Sequence, residues 1–122
     1  AGAVGVSLAH PERQVVATIG DGSAMYSIQS LWTAAHLKLP ITYVIINNKS
    51  YRIIKERMIS MRNCSNFLGM DLVKPELNFV EISEGMGVSA VRVDSQISLN
   101  TALLEANNKS EPTLIEVMVS TQ

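Results

Sequence analysis

The apolar positions of the chain alternate between short continuous runs and helical spacings. Val15, Val16, Ala17 and Ile19, interrupted only by Thr18, form the first run, which has the pattern of a parallel strand covered on both faces. Ile41, Tyr43, Val44, Ile45 and Ile46 form the second. Between them Met25, Ile28, Leu31, Trp32 and Ala35 recur at three- and four-residue steps, predicting one amphipathic helix from Ala24 to Leu37. Residues 1–9 are small and apolar and read as the last turns of a helix. They stop at His10, because Pro11 disfavours helical geometry in the residue before it. A strand, a helix and a strand in this order predict a right-handed βαβ unit.

The alternation continues downstream. Residues 51–58 read as a short helix, and residues 60–76, polar and broken by Gly69 and Pro75, as a loop over the site, with the whole of 51–76 expected to be mobile. Helical spacing returns over 79–86 and 97–106, with strands over 88–93 and 113–119. The expected fold is α/β: a doubly wound parallel sheet with helices on both faces, in one domain over residues 1–122.

Composition narrows the function classes. A chain of 122 residues, 47% hydrophobic, suffices for one core. A net charge of −1 removes nucleic acid and anionic membranes from the expected partners, since both need concentrated Lys and Arg. No apolar run reaches bilayer length, and the first residues lack the basic leader of a signal peptide. Cys64 is the single cysteine and reads as a free thiol, compatible with a cytoplasmic setting. There is no initiator Met, so the chain reads as part of a longer polypeptide.

The candidate chemistry lies at the ends of the first two strands. Gly20-Asp21-Gly22-Ser23 follows one and Asn47-Asn48 the other, at the C-terminal strand ends where open α/β sheets bind ligands. Glycine admits close backbone approach and turn conformations closed to other residues, while Ser23 and free helix-start amides face an anion. Asp21 would repel a diphosphate unless a cation bridges them. Asp and Asn supply hard oxygen ligands of the kind Mg²⁺ takes, with phosphate oxygens completing its shell. The carbonyl of Ser50 is well placed to add another. Taken singly, each motif is an ordinary turn, with Asp21 or Ser23 as an N-cap. Together, one βα unit apart, they read as a metal-diphosphate anchor.

This pairing of a GDG turn with NN resembles the diphosphate-binding domain of thiamine diphosphate (ThDP) enzymes, over essentially the whole chain. The resemblance implies that Asp21, Asn48 and the Ser50 carbonyl bind Mg²⁺, that Gly20, Gly22 and Ser23 contact the diphosphate, and that the backbone near Tyr51 contributes. Asn47 would shape the turn. The block PERQVVATIGDGSAMYSIQSLWTAA with VIINNKSY is most similar to the benzoylformate decarboxylase branch. Pyruvate decarboxylases carry a catalytic acid where this chain has Ile54, and benzoylformate decarboxylases an apolar or aromatic residue. Ile54 therefore suits a bulky 2-oxo acid, whereas Arg57 falls where an aromatic is expected and, as a second pocket residue, would meet an anionic group of the substrate.

The resemblance further implies a non-oxidative 2-oxo acid decarboxylase, homo-oligomeric when full length. Its catalytic Glu would come from a pyrimidine-binding domain of the same or a partner chain, leaving this segment inactive alone. The alternatives are an acetolactate synthase-like carboligase, a separate ThDP-binding subunit, and a non-catalytic flavodoxin-like module. His10 and His36 read as solvent-facing, Arg52 to Arg57 as a charged helix face, and Trp32 as core or subunit-interface packing.

Overall fold

The computed structural model describes residues 1–120. The elements run α1 (Gly2–Ala9), β1 (Val15–Gly20), α2 (Asp21–Ala24), α3 (Ser30–His36), β2 (Ile41–Asn47), α4 (Arg52–Arg62), α5 (Phe79–Gly85), β3 (Ser89–Val93), α6 (Gln96–Asn107) and β4 (Thr113–Met118). The strands form one parallel sheet in the order β1-β2-β4-β3.

The chain steps one way across the sheet from β1 to β2 to β3, then back one place to β4. Right-handed crossovers send the helix of a reversed step to the opposite face. Accordingly, Val4 of α1, Leu31 and Ala34 of α3 and Phe79 of α5 pack on the face presenting Ile41, Tyr43, Ile45 and Leu114. Ala102 and Ala106 of α6 pack on the other, against Val93 and Ile115. The doubly wound α/β architecture is as the alternation of elements implies.

Three local expectations are corrected. The single helix over 24–37 is two helices, because Tyr26, Ser27 and Ser30 donate their amides to carbonyls three residues back (3.3, 3.2 and 3.0 Å), tightening residues 25–29 into turns. The break takes Met25 and Trp32 off the buried stripe. Trp32 is 58% exposed and stacks on His36, with ring centroids 5.0 Å apart, so it is not core. His10 and His36 are both exposed, as expected.

Among the described residues strand β1 pairs only with β2 and shows alternating burial, with Val16 61% exposed. Helix α6 lies over β2, β3 and β4, so the described residues cover one face of β1 rather than both. Gln14 reaches that helix end, donating to the carbonyls of Ala106 (3.3 Å) and Asn107 (2.9 Å). Helix α4 continues past Met58 to Arg62 and ends at left-handed Asn63, with no buried residue along its length.

Candidate functional site

Register brings the two motifs together. Gly20 pairs with Ile46, so Asp21 and the turn after Asn47 emerge side by side at the C-terminal edge of the sheet. Asp21 is 4% exposed. Its Oδ1 accepts the Gly22 amide at 2.8 Å and its Oδ2 the Ser50 amide at 3.2 Å. Asn48 Oδ1 accepts that same Ser50 amide at 3.0 Å. One N–H thus gathers the carboxylate and the amide oxygen from two adjacent strand ends.

A buried carboxylate needs compensating charge. Among the described residues no Lys, Arg or His forms an ion pair with Asp21. Nor do three His, Cys, Asp or Glu side chains gather anywhere, as a thiolate or imidazole metal site requires. One buried carboxylate, one amide oxygen and a nearby carbonyl suit a hard cation that completes its shell with phosphate and water oxygens. The residues present fit Mg²⁺.

Asn47 points away from these oxygens. Its Oδ1 accepts the Lys49 amide at 2.9 Å, closing a turn in which Lys49 has a left-handed φ of 58°. Its Nδ2 donates to Glu116 Oε1 at 2.7 Å. Glu116, in the middle of β4, is fully buried, and its Oε2 accepts Arg92 Nε at 2.8 Å. Arg92 Nη2 also donates to Asn78 Oδ1 at 3.1 Å, and Asn78 caps α5. A charge inside the otherwise apolar run 113–119 was the sequence signal for this group.

A cleft of about 500 Å³ opens above the strand ends. Gly20, Asp21, Gly22, Ser23, Asn48, Ser50, Tyr51 and Ile54 all line it. Arg57 does not: it lies about one helical turn beyond Ile54, exposed and outside the cleft wall. Tyr26, Ile46, Arg52, Ile53 and Glu56 line it as well. Tyr26 was not singled out because only the break between α2 and α3 directs it there. Glu56 pairs through Oε1 with Arg52 Nε at 2.8 Å.

The glycines act by size rather than backbone strain. Gly20 has an ordinary extended backbone (φ −72°, ψ 152°), and Gly22 is helical. The expected special turn conformations are therefore not used. A Cβ on Gly20 would meet nothing within 4 Å, which leaves its surface open to the cleft. In the first turn of α2 the Ser23 amide has no acceptor four residues back inside the helix.

The polar segment expected to be a loop over the site is instead strapped beside it. Tyr51 donates its amide to the Met70 carbonyl at 2.9 Å, and Leu72 to that of Lys49 at 2.8 Å. Lys49 Nζ pairs with Glu76 at 2.8 Å, and Lys55 pairs with Asp71. The hydrogen bond from Lys55 holds the Asp71 carboxyl below its ordinary range, and Lys49 does the same for Glu76. The cleft wall comes from α4, not from this strap.

A buried carboxylate and an amide oxygen meet beside a small-residue turn at the C-terminal ends of two adjacent parallel strands, where α/β domains of this class bind phosphorylated cofactors. Residues 1–117 match the family model for the thiamine pyrophosphate enzyme C-terminal TPP binding domain, and the chain belongs to that family. It is 38% identical over 119 residues to benzoylformate decarboxylase from Pseudomonas aeruginosa, covering 98% of this chain and 22% of that protein. It is 31% identical to the acetolactate synthase large subunit of Parasynechococcus marenigrum, covering 96% of this chain and 19% of that one. The solved thiamine diphosphate-dependent 4-hydroxybenzoylformate decarboxylase of Rhodococcus jostii RHA1 superposes with a TM-score of 0.91 at 39% identity, covering 98% of this chain and 22% of that structure. The chain therefore spans about a fifth of the length of the relatives it matches. Family membership replaces the flavodoxin-like alternative.

Proposed function

We propose that this domain anchors the diphosphate of ThDP through Mg²⁺ in a non-oxidative decarboxylase of 2-oxo acids. The observation that carries the reading is the buried Asp21 carboxylate, without a cationic side chain, meeting Asn48 Oδ1 at the Ser50 amide. Asp21, Asn48 and the Ser50 carbonyl would hold the metal. Gly20, Gly22, Ser23 and the backbone at Tyr51 would contact the diphosphate. When bound, ThDP supplies the electron sink for cleavage beside a carbonyl.

The chain's own residues bind and orient. Burial of Asp21 keeps bulk water from competing for its oxygens, which strengthens its hold on a cation. Ile53 and Ile54 present an apolar wall to the cleft, suited to a bulky substituent on the 2-oxo acid. As the resemblance to ThDP enzymes implies, the group that activates the aminopyrimidine would come from a pyrimidine-binding domain of the same or a partner chain, within a homo-oligomer. We place the enzyme in the cytoplasm.

Similarity to an acetolactate synthase large subunit supports a second reading, carboligation of two 2-oxo acids. Calorimetric titration of the full-length apoenzyme with Mg²⁺ and ThDP tests the anchor. Asp21→Ala should weaken binding by at least about tenfold, and unchanged affinity would overturn the assignment. Product analysis separates the two reactions: aldehyde and CO₂ support decarboxylation, and an acetohydroxy acid supports carboligation.

A further inference from the structure

We infer that Glu116 is a positioning residue for the metal turn, acting through Asn47. The inference rests on the anchor reading above and extends it to a residue outside the cleft. The side chain is fully buried, and it is an acceptor on both oxygens. Two donors meet it: Asn47 Nδ2 at 2.7 Å and Arg92 Nε at 2.8 Å.

The consequence is directional. An amide side chain has a donor end and an acceptor end of nearly equal shape, so only its partners decide which way it faces. The Glu116 carboxylate can be approached only by the NH₂ end of Asn47. The carbonyl end must then face the Lys49 amide, which it accepts at 2.9 Å. That bond closes the turn at Lys49, whose left-handed φ of 58° is disfavoured for a side-chain-bearing residue unless the turn is held. With Lys49 held there, Asn48 Oδ1 and Asp21 Oδ2 converge on the Ser50 amide. Glu116 thus sets the amide orientation from which the positions of Asn48 and Ser50 follow.

Arg92 completes the arrangement from the far side. It holds the second carboxylate oxygen and reaches Asn78 at the start of α5. The turn is therefore braced against β3, β4 and α5 rather than against β1 and β2 alone. Replacing Glu116 by Gln keeps the volume but gives the site one acceptor for two donors. Its NH₂ group then faces a donor, or Asn47 rotates and turns its own NH₂ toward the Lys49 amide.

The test uses the full-length apoenzyme and calorimetric titration with Mg²⁺ at saturating ThDP, together with amide exchange of the metal-free protein. Glu116→Gln and Asn47→Ala should each weaken Mg²⁺ binding by about tenfold or more and speed exchange at Lys49 and Ser50, leaving Tyr43 to Ile45 of β2 protected. Because one residue acts through the other, the double variant should be no weaker than the poorer single variant by more than about threefold. Multiplicative losses, or Glu116→Gln within about twofold of wild type, overturn the inference. If Glu116→Gln loses its cooperative thermal transition, Asn47→Ala alone decides, since it leaves the Glu116–Arg92 pair intact: unchanged affinity refutes the proposal. Asp21→Ala separates the two levels. Intact binding in that variant defeats the anchor reading, whereas lost binding there with intact binding in Glu116→Gln defeats only the role of Glu116.

Discussion

The ring of Tyr51 lies directly over Gly22, so a Cβ at that glycine would sit 2.5 Å from Cε1 and 2.6 Å from Cδ1 of the ring. No real Cβ makes such a contact. The turn after β2 and the turn after β1 are therefore held at a separation that only glycine at position 22 permits, with the ring forming part of the cleft wall.

Gly22→Ala should cost about 1–3 kcal/mol through this overlap and weaken ThDP binding as the ring is displaced. Adding Tyr51→Ala should return most of the lost stability, because it removes the atoms the methyl group meets. Urea unfolding of the two single variants and the double variant measures this. An equal loss from Gly22→Ala with and without Tyr51 would show that the ring is not the cause.

The strap should loosen in acid. Asp71 is held below its ordinary 3.8 chiefly by the hydrogen bond from Lys55, and Glu76 below its ordinary 4.5 by that from Lys49. Depressed carboxylate values mean that the contribution of each pair is fully present above the ordinary value and is lost as pH falls through the lower folded-state value. Protection factors at the Tyr51 and Leu72 amides should therefore drop below pH 4, and at neutral pH they should drop with added salt. Protection that stays constant across that range would mean the backbone bonds hold the strap without the ion pairs.

Tyr43 carries a buried hydroxyl that finds no protein hydrogen-bond partner among the described residues. Desolvation pushes its pKa from 10.0 up to about 12. Tyr43→Phe should raise stability by about 1 kcal/mol by removing an unsatisfied polar group. The neutral form is favoured in the fold, so wild type should lose stability as pH rises from about 10 towards about 12. The variant should lack that loss. A less stable Tyr43→Phe would show that the hydroxyl is satisfied by bound water.

Ile54 sets an apolar surface in the cleft, and its replacement should shift substrate preference. In the full-length enzyme, Ile54→Asp should lower kcat/KM for benzoylformate relative to pyruvate by about tenfold or more. Arg57, outside the cleft, should be replaceable by Ala with little change for either acid. Steady-state CO₂ release with both substrates checks the pair. Faster turnover of pyruvate than benzoylformate by wild type would sink the bulky-substrate reading.

Periodicity made the strand order along the chain, the α/β class and the two strand-end motifs legible, because backbone hydrogen bonding and apolar burial repeat at short range. It placed Asp21, Asn48 and the turn at Ser50 at one edge without any coordinates, since consecutive parallel strands joined by a helix lie side by side, while Tyr51 entered only through the family resemblance. Three-dimensional packing alone decided the rest. The order β1-β2-β4-β3 put α6 over β2, β3 and β4, so among the described residues one face of β1 is covered although its sequence reads as doubly covered. The split between α2 and α3 brought Tyr26 to the cleft and exposed Trp32, which a regular helical spacing cannot foresee. Glu116 and Asn47 are 69 residues apart, and Arg92 belongs to a third strand. Only sheet register joins them, because a buried charge must find its partners wherever the completed fold brings donors within reach.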